Sequence, residues 1–100
     1  MERHIYSKKA ITTIARKEYG DELKEIILLD ALYLQSKNAR YYEKACDLKW
    51  SLAVEIVDFW CYTPIHEEYY DLCDRVEFVL GNFIEEKSSR ILENFLDNLR

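Results

Sequence analysis

The sequence predicts an all-α protein, a compact bundle of four or five antiparallel helices. Three observations predict this class. The chain of 100 residues is 49% hydrophobic, with two glycines and one proline, and its apolar residues recur at helical spacing. So few turn-forming glycine and proline residues disfavour an all-β fold, which needs many short strands joined by turns. Because no linker interrupts the chain, residues 1–100 are interpreted as one domain.

The first helix is expected to begin after Ser7 and to end at Gly20. Ser7 is a preferred N-cap, Tyr6 and Ile11 have the spacing of a hydrophobic staple, and glycine commonly ends helices. The predicted core face of this helix is Ile11, Ile14, Ala15 and Tyr19.

The second helix is expected to have Asp21 as its N-cap, with Glu22 in the first turn, where acidic side chains complement the helix dipole. It should close at residues 36–38, a Ser-Lys-Asn sequence. Its predicted core residues are Leu23, Ile26, Ile27, Ala31 and Leu34.

Residues 50–62 are rich in β-branched and aromatic side chains and could form a buried strand. Ser51, Glu55 and Asp58, however, recur at intervals of four and three, which places them on one face of a helix and on both faces of a strand. Residues 41–62 are therefore predicted to form one helix, with an outer stripe that also includes Asp47 and Glu43. Its predicted inward residues are Tyr41, Ala45, Leu48, Leu52, Ile56, Phe59 and Trp60.

A fourth helix is predicted to begin at Thr63-Pro64, since threonine caps helices and proline suits their first position. Gly81-Asn82 is expected to end it, and a fifth helix should follow at once. The core face of the fourth helix is predicted as Ile65, Tyr69, Leu72, Cys73, Val76, Val79, Leu80 and Phe83, and that of the fifth as Ile84, Ile91, Leu92, Phe95, Leu96 and Leu99.

Charge divides the chain into two unequal halves. Residues 1–50 contain eight acids and ten bases, whereas residues 51–100 contain eleven acids and four bases, so their net charges are +2 and −7. An acidic field attracts a basic partner and repels nucleic acid and anionic membranes. Lys8, Lys9, Arg16 and Lys17 are interpreted as a solvated face, and no nucleic-acid binding is expected. Acidic surfaces also promote solubility, which is the alternative reading.

Catalytic and metal-binding patterns are sparse. His66 lies between Cys61 and Cys73 in a C-x4-H-x6-C spacing that matches no standard zinc site. These two cysteines and Cys46 are expected to be free thiols, because their number is odd and their spacing irregular. The pairs of neighbouring acidic residues fall on predicted solvent-facing sides of helices. The sequence also contains no glycine-rich phosphate-binding loop. The chain is therefore expected to be no enzyme and to bind no metal or cofactor.

The longest apolar run, residues 26–34, is nine residues long and contains Asp30. No secretory signal or transmembrane helix is predicted, because both require longer or differently flanked apolar segments. The sequence therefore predicts a cytoplasmic protein without membrane partners.

The fourth helix carries the candidate binding site, an outward stripe of acidic and aromatic side chains. Tyrosine combines apolar area with a hydrogen-bonding hydroxyl, and carboxylates steer and bind Arg or Lys. The alternative is an ordinary solvated helix face. The predicted partner-binding residues are Glu67, Glu68, Tyr70, Asp71, Asp74 and Glu77.

Residues 48–83 contain an apolar helix with Ala53 and Glu55, then Pro64-Ile65 and a Glu-Glu-Tyr run at residues 67–69. This pattern resembles the MafI-type family of small bacterial immunity proteins. In that family an Ala-Leu/Val-Glu helix precedes a proline turn with an isoleucine, and a Glu-Glu-Tyr run opens the next helix. The resemblance implies a small helical protein that binds and neutralises a cognate toxin domain, as contact-dependent inhibition immunity proteins do. The matching residues are Leu52, Ala53, Glu55, Asp58, Pro64, Ile65, Glu67, Glu68, Tyr69 and Leu72.

Two other classes of function stay open. One is a non-enzymatic regulatory or adaptor domain that binds another protein. The other is a subunit of a helical homo-oligomer, such as a homodimer, whose exposed aromatics pack against copies of itself.

Overall fold

The computed structural model describes residues 7–61 and 66–99, with every side chain in those ranges except those of residues 66–68. Its elements are α1 (Lys8–Glu18), α2 (Gly20–Ser36), α3 (Ala39–Trp60) and α4 (His66–Asn98). The predicted all-α class is confirmed, with four helices in the described part of the chain.

Helix α1 begins as predicted. The side-chain oxygen of Ser7 accepts a hydrogen bond from the Ala10 backbone N–H at 3.1 Å, which satisfies one of the free donors at the helix start. Ile11 and Ala15 are completely buried, and Ile14 and Tyr19 pack against the core. Tyr6, the expected partner of Ile11 in a staple, lies outside the described residues.

The predicted boundary between α1 and α2 is wrong in detail. Gly20 is the first residue of α2 rather than the terminator of α1, and Tyr19, not Asp21, occupies the N-cap position. The reason is a backbone hydrogen bond from Leu23 N–H to the Tyr19 carbonyl at 2.9 Å, which starts the second helix two residues earlier. Asp21 and Glu22 therefore lie in the first turn of α2.

Helix α2 ends where expected, and α3 is one continuous helix. Lys37, the C-cap of α2, has a left-handed backbone with φ 60°. Asn38 then caps α3, accepting a hydrogen bond from the Arg40 N–H at 3.1 Å. The predicted outer stripe is confirmed, since five α3 side chains are exposed: Glu43, Asp47, Ser51, Glu55 and Asp58.

Gly81-Asn82 does not end a helix, because α4 continues through both residues to Asn98. No described glycine has a positive φ. A Cβ placed on Gly81 would lie 3.5 Å from the Lys49 Nζ atom, so this part of α4 packs closely against α3. The predicted fourth and fifth helices are therefore one helix. Thr63, Pro64 and Ile65, expected at its start, lie outside the described residues.

The core lies between α2, α3 and α4, which pack against one another, while α1 packs on α2 and α4. A buried hydroxyl joins two of these helices: the Ser88 Oγ atom lies 2.7 Å from the Ile84 carbonyl oxygen and 3.1 Å from that of Ile27 in α2. The largest completely buried apolar side chains are Ile11, Ile26, Ile56, Val57, Cys73, Val76 and Leu80.

Several residues predicted to face the core are exposed. Phe59 and Trp60 are 74% and 38% exposed at the end of α3, and Phe95 is 45% exposed on α4. Helical spacing predicts the direction of a side chain, but a side chain is buried only where a neighbouring helix is long enough to cover it. Thirty-three residues make α4 about 50 Å long, whereas the 17 residues of α2 span about 26 Å. The same correction applies to Ile91, Leu96 and Leu99, which are also exposed.

The three cysteines are free, Cys61 and Cys73 buried and Cys46 half-buried. In residues 7–61 and 66–99, no helix has the length and apolar character needed to cross a membrane.

Candidate binding surface

The predicted binding residues of α4 do not all face solvent. Tyr70 is 56% exposed, and Asp71 and Asp74 are also exposed. Glu77 is half-buried, because it lies between the direction of the exposed Tyr70, seven positions earlier, and that of the buried Cys73, four positions earlier. The side chains of Glu67 and Glu68 lie outside the described part of the structure.

Phe78 was missed by sequence reasoning and lies on the same outer surface. It is 64% exposed, and it follows Asp71 and Asp74 by seven and four positions, which places the three residues on one helix face. The spacing of Phe78 from Asp71 and Asp74 is the sequence feature that predicts its position on this face. We call Tyr70, Asp71, Asp74 and Phe78 the acidic face.

The acidic face is joined to the end of α3 through a chain of side-chain contacts. Tyr69 donates a hydrogen bond to the Asp58 carboxylate at 2.5 Å, and its ring contacts Tyr70 edge-on with centroids 5.3 Å apart. This hydrogen bond, with a smaller contribution from burial, raises the pKa of Tyr69. The exposed Phe59 follows Asp58 directly, so aromatic and acidic groups from two helices lie close together.

Trp60, at the end of α3, is held by a contact with the junction of α1 and α2. Its indole Nε1–H donates to the Tyr19 hydroxyl at 3.1 Å. This bond links the end of α3 to the junction of α1 and α2.

The buried cysteines do not form a reactive site. Burial raises the pKa of Cys61 to about 11, with a further contribution from nearby Cys73. Burial also raises the pKa of Cys73. Both groups are therefore held as thiols at neutral pH, whereas nucleophilic cysteines need a lowered pKa. Among the described residues, no group of three or more His, Cys, Asp and Glu side chains is arranged to hold a metal ion.

A groove of about 520 Å³ lies between α2 and α4, beside the end of α1. Its apolar floor includes Leu23, Ile27, Leu28, Phe83 and Ile91. Four basic side chains surround this floor, and no acidic residue is among the described residues that line it. The basic residues are Arg16, Lys24, Lys87 and Arg90, and we call this feature the basic groove.

Two of these cations have identified neighbours. Lys87 places its Nζ atom 5.4 Å from the centre of the Phe83 ring, and Arg90 pairs with Glu86 at 3.2 Å, with both side chains about 60% exposed. Exposed pairs of this kind contribute little to stability. Sequence reasoning missed the basic groove because its four cations come from three helices separated in the chain.

Beyond the basic groove, α4 exposes a row of apolar side chains. We call Ile91, Phe95, Leu96 and Leu99 the distal face; their exposed fractions are 45%, 45%, 47% and 68%. Exposed apolar residues grouped in this way are typical of interaction surfaces. The molecule thus carries an acidic face and a basic groove with an adjoining apolar surface.

Comparison of the chain with protein-family models, with curated proteins and with solved structures finds no match.

Proposed function

We propose that this chain is a non-enzymatic immunity protein of the bacterial cytoplasm that binds and neutralises a cognate basic toxin domain. The acidic face is the proposed binding surface. The observation that carries the proposal is the exposure of Tyr70 and Phe78 beside Asp71 and Asp74 on one side of α4.

The chemistry of the acidic face suits a basic protein. Exposed aromatic rings provide apolar contact area at low entropic cost, and carboxylates form charge-assisted hydrogen bonds with Arg and Lys. The −7 charge of residues 51–100 would accelerate encounter with a positively charged partner. A nuclease-type toxin has such a surface because its substrate is a polyanion.

The arrangement of α3 and α4 supports a rigid surface. We also propose that the helices form a bundle in which these neighbours run antiparallel, because Asp58 contacts Tyr69 and Lys49 lies beside Gly81. Preorganised side chains lose less entropy on binding. Neither the acidic face nor Phe59 would then need to rearrange when the toxin binds.

The proposal is tested by co-expression with the toxin-domain product of an adjacent gene. Wild-type protein should restore growth, and the Asp71→Lys, Asp74→Lys variant should not, at equal soluble levels. Binding should weaken by about a hundredfold or more, because the reversed charges face the cations of the toxin.

The matched control is Glu43→Lys with Asp47→Lys on the outer stripe of α3, where both acids are exposed. This control changes the net charge by the same amount as the Asp71→Lys, Asp74→Lys variant, and it should still protect cells from the toxin. Loss of protection in both variants would indicate a general charge effect, and protection by both would place the interface elsewhere.

A second comparison separates the aromatic contribution from the charge. Phe78→Ala should weaken binding through faster dissociation and leave its salt dependence unchanged. If wild-type protein binds no adjacent gene product, the adaptor class or the homo-oligomer class replaces the immunity function.

A further inference from the structure

We propose that the basic groove binds a fatty acid, a single-chain carboxylate taken from solution, with its tail along the apolar floor and its head group between Arg16 and Lys24. The groove calls for three properties in a ligand: an apolar body, an elongated shape and a negative charge. None of its lining residues belongs to the acidic face, and ligand binding is measured without a toxin. The ligand site and the immunity function can therefore fail independently.

The floor of the groove is an apolar surface built from two helices. On α2, Leu23 and Ile27 are four positions apart and so lie on one side of the helix, with the exposed Leu28 beside them. On α4, Phe83 and Ile91 line the same groove about two helical turns apart. An apolar tail between these two rows would remove Leu28 and Ile91 from water, which favours binding.

The size and shape of the groove suit a chain-like small molecule. Its volume of about 520 Å³ lies within the roughly 300–1,000 Å³ of small-molecule sites. The lining residues of α4 run from Phe83 to Asn94, a length of about 16 Å at about 1.5 Å per residue. A partner helix of that length, about 10 Å wide, would fill about 1,300 Å³ and lie mostly outside the groove. The dimensions therefore favour an extended acyl chain over a docked helix.

The charge of the groove selects an anionic head group. No acidic residue is among the described residues that line it, and two of its four cations, Lys87 and Arg90, already contact neighbours within α4. Arg16 and Lys24 are exposed, and neither forms an ion pair within residues 7–61 and 66–99. A carboxylate between them accepts charge-assisted hydrogen bonds from both, and its two oxygens match the planar guanidinium of Arg16.

Contacts between α2 and α4 set the direction of the tail. Ile27 of α2 lies beside Ser88 of α4, and Asp30 lines a second cleft, of about 240 Å³, together with Glu85. Later residues of α2 thus lie beside earlier residues of α4, so Phe83 is at the end of the groove farthest from the junction of α1 and α2. The tail therefore runs from the head-group site toward the Phe83 ring.

The test titrates the isotope-labelled full chain with decanoate and follows the backbone amide NMR spectrum. Saturable shifts should map to the groove, with the largest changes at Gly20, Lys24, Leu28 and Ile91. Decanol has the same tail without the charge and should bind at least about tenfold more weakly, because it loses the charge-assisted hydrogen bonds. Acetate has the head group without the tail and should give no saturable shifts, because it buries no apolar surface.

Arg16→Glu with Lys24→Glu reverses the charge of the head-group site. Both side chains are exposed, so the fold should be retained, as circular dichroism can verify. This variant should bind decanoate at least about tenfold more weakly, bind decanol like wild type, and bind decylammonium more tightly than wild type does. Arg40→Glu with Lys44→Glu is the matched control, with the same change of net charge at exposed α3 positions outside the groove, and it should bind decanoate like wild type. Equal loss of decanoate binding in the control would contradict the assigned head-group site.

Leu28→Gln tests the tail site separately from the charge. The Leu28 side chain is 55% exposed, so the substitution should preserve the fold while weakening decanoate and decanol binding by a similar factor. Absence of saturable decanoate binding to wild type would overturn the proposal, as would equal affinities for decanoate and decanol or shifts centred on Phe95 and Leu96. Binding to phosphatidylglycerol vesicles without binding to decanoate would make the groove a membrane-contact surface and would also overturn it.

Discussion

The inner and distal segments of α4 have similar apolar patterns but different surroundings. Between residues 69 and 88, Cys73, Val76 and Leu80 are at most 1% exposed, because α2 and α3 cover them. In the distal segment, Phe95 and Leu96 are nearly half exposed. Burial therefore depends on where the neighbouring helices end, as well as on the period of the sequence.

This difference assigns separate roles to the two segments. The inner segment contributes to the core with one side and presents acids and aromatics on the other. The distal segment contributes little to the core, and its apolar residues Ile91, Phe95 and Leu96 are nearly half exposed. One helix thus stabilises the fold with its inner segment and leaves apolar side chains exposed in its distal segment.

The largest expected effect comes from making the same substitution in each segment. Leu80→Ala should lower the free energy of unfolding by about 2–5 kcal/mol, because it leaves a cavity in the core. Leu96→Ala should cost less than about 1 kcal/mol in the monomer, since this side chain is already half exposed.

Urea denaturation at low protein concentration would measure both values. Equal losses of stability would show that the distal segment is packed as tightly as the inner segment.

A smaller effect is expected at Gly81, within the continuous helix that joins the two segments. Gly81→Ala should raise the free energy of unfolding by about 0.5–1 kcal/mol, because alanine restricts the unfolded chain and favours helix. The added Cβ would sit 3.5 Å from Lys49 Nζ, an ordinary contact. Thermal melts can measure the change, and destabilisation by alanine would instead indicate a helix end at this residue.

The smallest expected effect is the change in the free energy of unfolding at alkaline pH that arises from Tyr69, which is hydrogen-bonded to Asp58 of α3. A tyrosine in the unfolded chain ionises near pH 10, but the hydrogen bond to Asp58 raises the pKa of Tyr69 in the native state. The unfolded state therefore loses this proton first, and the stabilisation present below about pH 10 is lost as pH rises toward the native pKa.

Tyr69→Phe removes this ionisation and should flatten the fall in stability above about pH 10. Asp58→Asn should act in the same direction, because its neutral amide no longer disfavours the tyrosinate. Denaturation midpoints measured between neutral and strongly alkaline pH would show the difference. An unchanged alkaline slope in Tyr69→Phe would contradict the assigned role of this hydrogen bond.

Much of the fold could be predicted from local sequence, and the errors occur where tertiary packing decides. The Ser7 cap, the single α3 helix and its outer stripe follow from side-chain chemistry and periodicity. Gly81 was misread as a terminator because packing against Lys49 supports the helix through it. Phe59, Trp60 and Phe95 were misassigned because periodicity carries no information about helix ends.

The candidate site was predictable only in part. The exposure of Tyr70, Asp71 and Asp74 follows from helical spacing, whereas Glu77 is half-buried at the edge of this surface. Phe78 was not part of the predicted stripe, although it follows Asp74 by four positions. The basic groove depends on the meeting of three helices, which no local pattern specifies.

The central claim is that a basic partner binds the acidic face of α4. Its most direct test is the backbone amide NMR spectrum of isotope-labelled protein, titrated with an unlabelled, catalytically inactive form of the toxin domain that the proposal expects an adjacent gene to encode. The largest chemical-shift changes should fall on Tyr70, Asp71, Asp74 and Phe78, with smaller changes at Phe59 and none on the α3 stripe around Glu43 and Asp47. Changes confined to that stripe or to the basic groove would contradict the claim.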